Sequence, residues 1–170
     1  RIKAGPGSET DKRIDRIAVL AELEVEHEDR LYPTPDAFPE VEVVIQRDVL
    51  GDIATLAREA GLPLVVHAAG GMGKTVLMQG LADRLRADGP VVLFDGFGAG
   101  RWRDPADGRH LPERTLVHLA NLMAGQGLCD ILLPVADVTG LLRAFRRRLA
   151  QSVETARRTR NDACVSLVLD

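Results

Sequence analysis

The stretch Val65-Val66-His67-Ala68-Ala69-Gly70-Gly71-Met72-Gly73-Lys74-Thr75 decides the fold. Its apolar lead-in, residues 64–67, has the length of a buried strand. From Ala68 to Thr75 the spacing fits G-x-x-x-x-G-K-[ST], with Ala68 in place of the first glycine. Gly71 and Gly73 accept backbone conformations that a Cβ resists, so the N–H groups of Ala69, Gly70, Gly71, Met72 and Gly73 can turn into one concavity. A helix starting near Lys74 adds the free N–H groups of its first turn, Thr75 and Val76 included, and the positive end of its dipole. Lys74 is then expected to reach β- and γ-phosphates, and the Thr75 hydroxyl to sit on Mg²⁺. The pattern predicts binding of a nucleoside triphosphate, ATP with Mg²⁺. Ala68 keeps the close packing of a small residue, at the cost of strain if its position requires a positive φ.

Working outward, Leu77, Leu81, Ala82 and Leu85 predict a helix over 74–88, which Gly89-Pro90 breaks. Val91-Val92-Leu93-Phe94 predicts a second strand ending at Asp95, and a Gly- and Arg-rich loop continues to Pro112. Helices over 113–124 and 138–158 and a last strand over 164–170 complete an α/β order, with a largely parallel sheet flanked by helices. Upstream, Asp48 offers an N-cap for a helix bearing Val49, Ile53, Leu56 and Ala60, closed by Gly61. Residues 41–45 read as a short extended segment, 32–39 as a proline-rich linker, 11–27 as a helix and 1–10 as loose chain. The chain thus divides into an N-terminal helical extension with linker, 1–40, and the N-terminal part of a P-loop NTPase domain, 41–170. It opens on arginine and closes on an apolar run, and is read as a segment of a longer protein whose sheet is incomplete at the C-terminus.

A phosphate loop of this kind needs a carboxylate from a second strand end to hold Mg²⁺. Asp170 follows Val165-Ser166-Leu167-Val168-Leu169 directly and is the preferred candidate, with Asp95 as its competitor. Lys74 and Asp170 are the candidate catalytic residues, and Thr75 and Asp170 the candidate metal ligands.

Composition narrows the alternatives. The chain is 45% hydrophobic and 28% charged, which is ordinary for a globular domain. A formal net charge of −3 gives no field favouring nucleic acid or an anionic membrane. No apolar run approaches a transmembrane length, and no signal-peptide pattern opens the chain. Cys129 and Cys164 lie far apart and read as two buried thiols in a reducing cytoplasm. The four histidines, His27, His67, His110 and His118, lack metal-ligand spacing. Gly96-Phe97-Gly98-Ala99-Gly100 has the wrong spacing for a dinucleotide fingerprint, and reads better as a loop presenting Arg101, Trp102 and Arg103 to a partner or neighbouring subunit. The run 143–148 reads as the solvated basic face of a helix packed through Leu141, Leu142, Phe145 and Leu149.

The segment from Val65 to Thr75 resembles the STAND class of P-loop ATPases, which includes the NACHT and NB-ARC proteins, whose pattern is a hydrophobic run followed by G-x-x-G-x-G-K-[ST]. Upstream, Val43-Val44-Ile45-Gln46-Arg47 resembles the hydrophobic-x-Arg element that lines the adenine pocket in this class, which would give that role to Val44, Ile45 and Arg47. Asp170 matches the class's first Mg²⁺-binding acid. The resemblance spans 41–170 and implies an ATP-binding and ATP-hydrolysing regulatory module, cytoplasmic, whose nucleotide state controls homo-oligomerisation in response to a protein or ligand trigger. The style of residues 95–110 suggests a bacterial member of antiphage-defence type. It further implies that a strand from later in sequence separates the strand before the loop from the strand ending at Asp170, so that residues 1–170 alone are not expected to form a stable monomer. Two alternatives stay open: a P-loop kinase for a small molecule, in which those two strands can lie side by side, and an interaction scaffold stabilised by nucleotide without turnover.

Overall fold

The computed structural model describes residues 16–24, 38, 48–105, 107–134 and 137–170. The extended segment over 41–45, the proline-rich linker except residue 38, and parts of the helix over 11–27 lie outside the described residues, as do Val44, Ile45 and Arg47. The elements are α1 (Arg16–Glu22), α2 (Val49–Glu59), α3 (Lys74–Leu85), β1 (Val91–Phe94), a 3-10 helix (Gly98–Arg103), α4 (Pro112–Gly125), α5 (Val138–Thr159) and β2 (Ser166–Leu169). The fold is α/β.

β1 and β2 pair in parallel, with Val91 opposite Ser166 and Phe94 opposite Leu169. The alternation of a strand sends successive side chains to opposite faces. Val92 and Phe94 accordingly enter a core with Val117, Ala120, Met123, Leu141, Phe145 and Ala156 from α4 and α5. Val91 and Val168 enter a second core with Leu50, Ala54, Met78, Leu81, Ala82 and Leu85 from α2 and α3. Two helical layers therefore sandwich the strand pair, and each large side chain so buried contributes about 1.5–3 kcal/mol.

Local chemistry fixes the element ends. Pro112 occupies the first turn of α4, where its missing N–H costs nothing. The Asp137 carboxylate accepts from the N–H groups of Thr139 (3.1 Å) and Gly140 (2.8 Å) and caps α5. Gly89 has φ 151°, and a Cβ there would lie 2.2 Å from the carbonyl oxygen of Cys164. Only glycine lets the chain entering β1 pass the chain entering β2 so closely.

Several expectations are corrected. Residues 64–67 join no ladder among the described residues, so the sheet has two strands, not three. Leu64, Val65, Val66 and β2 line one groove of about 1090 Å³. Asp48 precedes α2 but is itself helical (φ −56°, ψ −36°), and its side chain makes no capping bond. The buried face of α2 is Leu50 and Ala54, while Val49 and Leu56 are exposed, because the helix is rotated about its axis from the expected setting. Cys129 is half-buried and Cys164 exposed, both free; Cys164 lies in the loop leading into β2, along the groove wall. Of the basic run on α5, Arg143, Arg146 and Arg147 are exposed, whereas Arg148 is half-buried and donates to the carbonyl of Ile131.

Candidate functional site

The glycine-rich turn takes the shape its composition favours. Gly71 (φ 74°) and Gly73 (φ 73°) are left-handed, and Gly73 is the N-cap of α3. Among the described residues Glu24 is the sole non-glycine with positive φ, so Ala68 carries no strain of that kind. The Lys74 ammonium folds back along the turn and donates to the carbonyls of Ala68 and Ala69, each at 3.0 Å. Met78, Leu81, Ala82 and Leu85 anchor α3 in the core, and so fix the direction in which its N-terminus points. Ala69, Gly70 and Met72 lie exposed in the turn, while Gly73, Lys74, Thr75 and Val76 are half-buried.

The two residues expected to share Mg²⁺ meet. The Thr75 hydroxyl donates to Oδ2 of Asp170 at 2.5 Å, across 95 positions of sequence. Thr75 is placed by the first turn of α3 and Asp170 by the end of β2. Asp170 is also tied into the sheet: its N–H donates to the carbonyl of Phe94 (3.0 Å), and its own carbonyl accepts from the N–H of Gly96 (3.1 Å). Asp95 is turned away to a different task. Its Oδ1 accepts from the N–H groups of Phe97 (3.0 Å) and Gly98 (2.6 Å), which closes the turn leaving β1.

Lys74, Thr75, Phe97 and Asp170 all belong to the lining of the groove that β2 borders. Among the described residues no group of three or more His, Cys, Asp or Glu comes together. One carboxylate and one hydroxyl is nonetheless the kind of donor set a protein offers Mg²⁺, which keeps several waters and takes further oxygens from phosphate. The left-handed glycines and the start of α3 likewise fit a phosphate group.

A second polar cluster braces the loop after β1, and its sequence carried no local signal. Arg109, 4% exposed, donates from Nε and Nη2 to the Asp107 carboxylate at 2.7 and 2.8 Å. These bonds hold the Asp107 carboxyl below the usual carboxylate range. Arg114 donates to the carbonyl of Asp107, and the Thr115 hydroxyl to that of Arg109. His118, stacked on Phe94 at 5.9 Å, is pushed down to about 4, first by burial and then by the charge of Arg109. Gly98 and Gly100 lie within the 3-10 helix, which is unlike the α-helix start of a dinucleotide site.

Among the described residues no helix is long and apolar enough to cross a membrane. No protein-family model matches the chain, and no curated protein matches it either.

Proposed function

We propose that this chain binds ATP with Mg²⁺ through a P-loop, as part of a regulatory ATPase of the STAND type. The observation that carries the reading is the 2.5 Å approach of Thr75 to Asp170, because the motif requires that meeting and nothing in their sequence separation arranges it. In this reading the N–H groups of Ala69 to Val76 receive the phosphates. Lys74 exchanges its bonds to the carbonyls of Ala68 and Ala69 for phosphate oxygens. Thr75 and Asp170 hold Mg²⁺, which neutralises charge on the β- and γ-phosphates when bound.

The groove between residues 64–66 and β2 favours the regulatory class over a small-molecule kinase. A kinase can place those two segments side by side, whereas here they share no ladder. A groove of about 1090 Å³ leaves room for the intervening strand that the regulatory class implies. Nucleotide-controlled homo-oligomerisation, a sensed trigger and a defence role follow from the class alone.

The test is calorimetric titration of the full-length protein with Mg²⁺–ATP, beside Lys74→Ala. Binding lost in the variant supports the site, and the oligomeric state with and without ATP then tests the regulatory reading. Equal binding in both proteins, or none in either, refutes it.

A further inference from the structure

Phe97 is an aromatic residue left 57% exposed at the wall of a groove, where burial elsewhere would be favourable. Its exposure is built into the loop. Asp95 fixes the backbone on both sides of it, through the N–H groups of Phe97 and Gly98. The Phe97 carbonyl accepts from the N–H groups of Gly100 (3.1 Å) and Trp102 (3.2 Å). Gly98, at φ 56°, lies so close to Arg109 that a Cβ would stand 2.9 Å from the guanidinium. Arg109 is in turn locked to Asp107. The Phe97 ring meets Trp102 edge-on at 6.4 Å and 89°, and Trp102 meets His110 in the same manner at 6.3 Å. The root of this braced loop, Gly96, is bonded to the carbonyl of Asp170.

We infer that Phe97, backed by Trp102, is a specificity-determining residue that makes the site prefer a nucleoside triphosphate to a diphosphate. The inference rests on the Mg²⁺–ATP reading of the site. Mg²⁺ held by Thr75 and Asp170 would draw the terminal phosphate of a triphosphate towards Asp170, whose carbonyl is bonded to Gly96 at the root of the loop that carries Phe97. A ring there displaces water from the terminal phosphate and strengthens its attraction to Lys74 and Mg²⁺. A diphosphate lacks that phosphate and gains nothing from the ring.

The experiment measures affinities for ATP and ADP, each with Mg²⁺, by calorimetry on the full-length protein and on Phe97→Ala and Phe97→Leu. Phe97→Ala is expected to weaken ATP about tenfold and leave ADP within about twofold, while Phe97→Leu retains most of the preference. Trp102, which packs edge-on against Phe97, supplies a readout in the protein with Phe97 left in place. The emission difference between the native protein and Trp102→Phe should change on adding ATP and stay constant on adding ADP. Unchanged ATP affinity in Phe97→Ala, equal loss of both nucleotides, or a Trp102 signal indifferent to ATP overturns this inference and leaves the ATP site standing. Absence of binding by the native protein overturns both.

Discussion

The Thr75 hydroxyl and the Asp170 carboxylate touch at 2.5 Å, although one begins α3 and the other ends β2. Both elements are seated in one core, where Met78 and Leu81 of α3 pack with Val168 of β2, and neither Thr75 nor Asp170 is among its buried residues. On the proposed Mg²⁺–ATP reading, Thr75→Val and Asp170→Asn should therefore leave the fold intact and abolish the gain in ATP affinity that Mg²⁺ would give. Affinity with Mg²⁺ is expected to fall to the level seen with excess chelator, a loss of about ten- to a hundredfold. Parallel titrations with magnesium and with chelator would measure this.

Stability should decline as pH falls below neutrality, because His118 is held near 4 in the fold and near 6.5 when unfolded. Between those values the unfolded chain binds more protons than the folded one, so acid favours unfolding. The loss begins as pH drops through 6.5 and levels off near 4, reaching at most about 3 kcal/mol. Asp107, with its lowered carboxyl, adds a further loss below the ordinary value of 3.8. Denaturant melts from pH 7 to 4.5 should show a shallower decline for His118→Gln than for the native protein.

Gly89→Ala should destabilise the fold by about 3 kcal/mol, since it combines an unfavourable φ with a contact to the Cys164 backbone. Gly125→Ala provides the contrast. Its Cβ would meet nothing within 4 Å at the end of α4, so stability should stay level or rise by up to about 1 kcal/mol. Thermal unfolding of the pair separates backbone strain from a generic effect of alanine.

Asn121 acts as a surrogate strand for the loop after α4. Its amide donates to the carbonyl of Leu132 (3.1 Å) and accepts from its N–H (2.8 Å), all of it buried. Asn121→Ala would strand both backbone groups, at a cost of about 2–4 kcal/mol. Urea titration would register the change as a lower midpoint at unchanged slope.

What could be read from sequence was what neighbouring residues determine. The periodicities of α4 and α5 gave their bounds to within a residue, and Val91–Phe94 was legible as an apolar run behind Gly-Pro. The turn from Ala68 to Thr75 was legible because its glycines answer to local backbone geometry. Residues 64–67 misled because β-pairing belongs to two segments at once, and an apolar run cannot show whether a partner lies beside it. The face of α2 was set wrongly for a related reason: Leu50, not Val49, is the residue that α3 covers, and Gly80 leaves the space for it. Asp95 and Asp170 looked alike as strand-end acids. Their separate tasks depend on which N–H groups stand within reach, and that is a property of the loop from 96 to 98. The Asp107–Arg109 pair was missed because it is set by the turn of a loop that no periodicity marks, and the burial of His118 because it depends on packing of α4 against Phe94 of β1.

The bonds from Phe94 and Gly96 to Asp170 bear on what any substitution there can achieve. With both its amide and its carbonyl clamped, this residue has a fixed root, and its reach is set by the length of its side chain. Glutamate would preserve the charge yet carry the carboxylate about 1.5 Å further, one carbon–carbon bond past the hydroxyl it now meets. At this position reach counts as well as charge, and a redesign that matches charge alone would overshoot the hydroxyl by one bond.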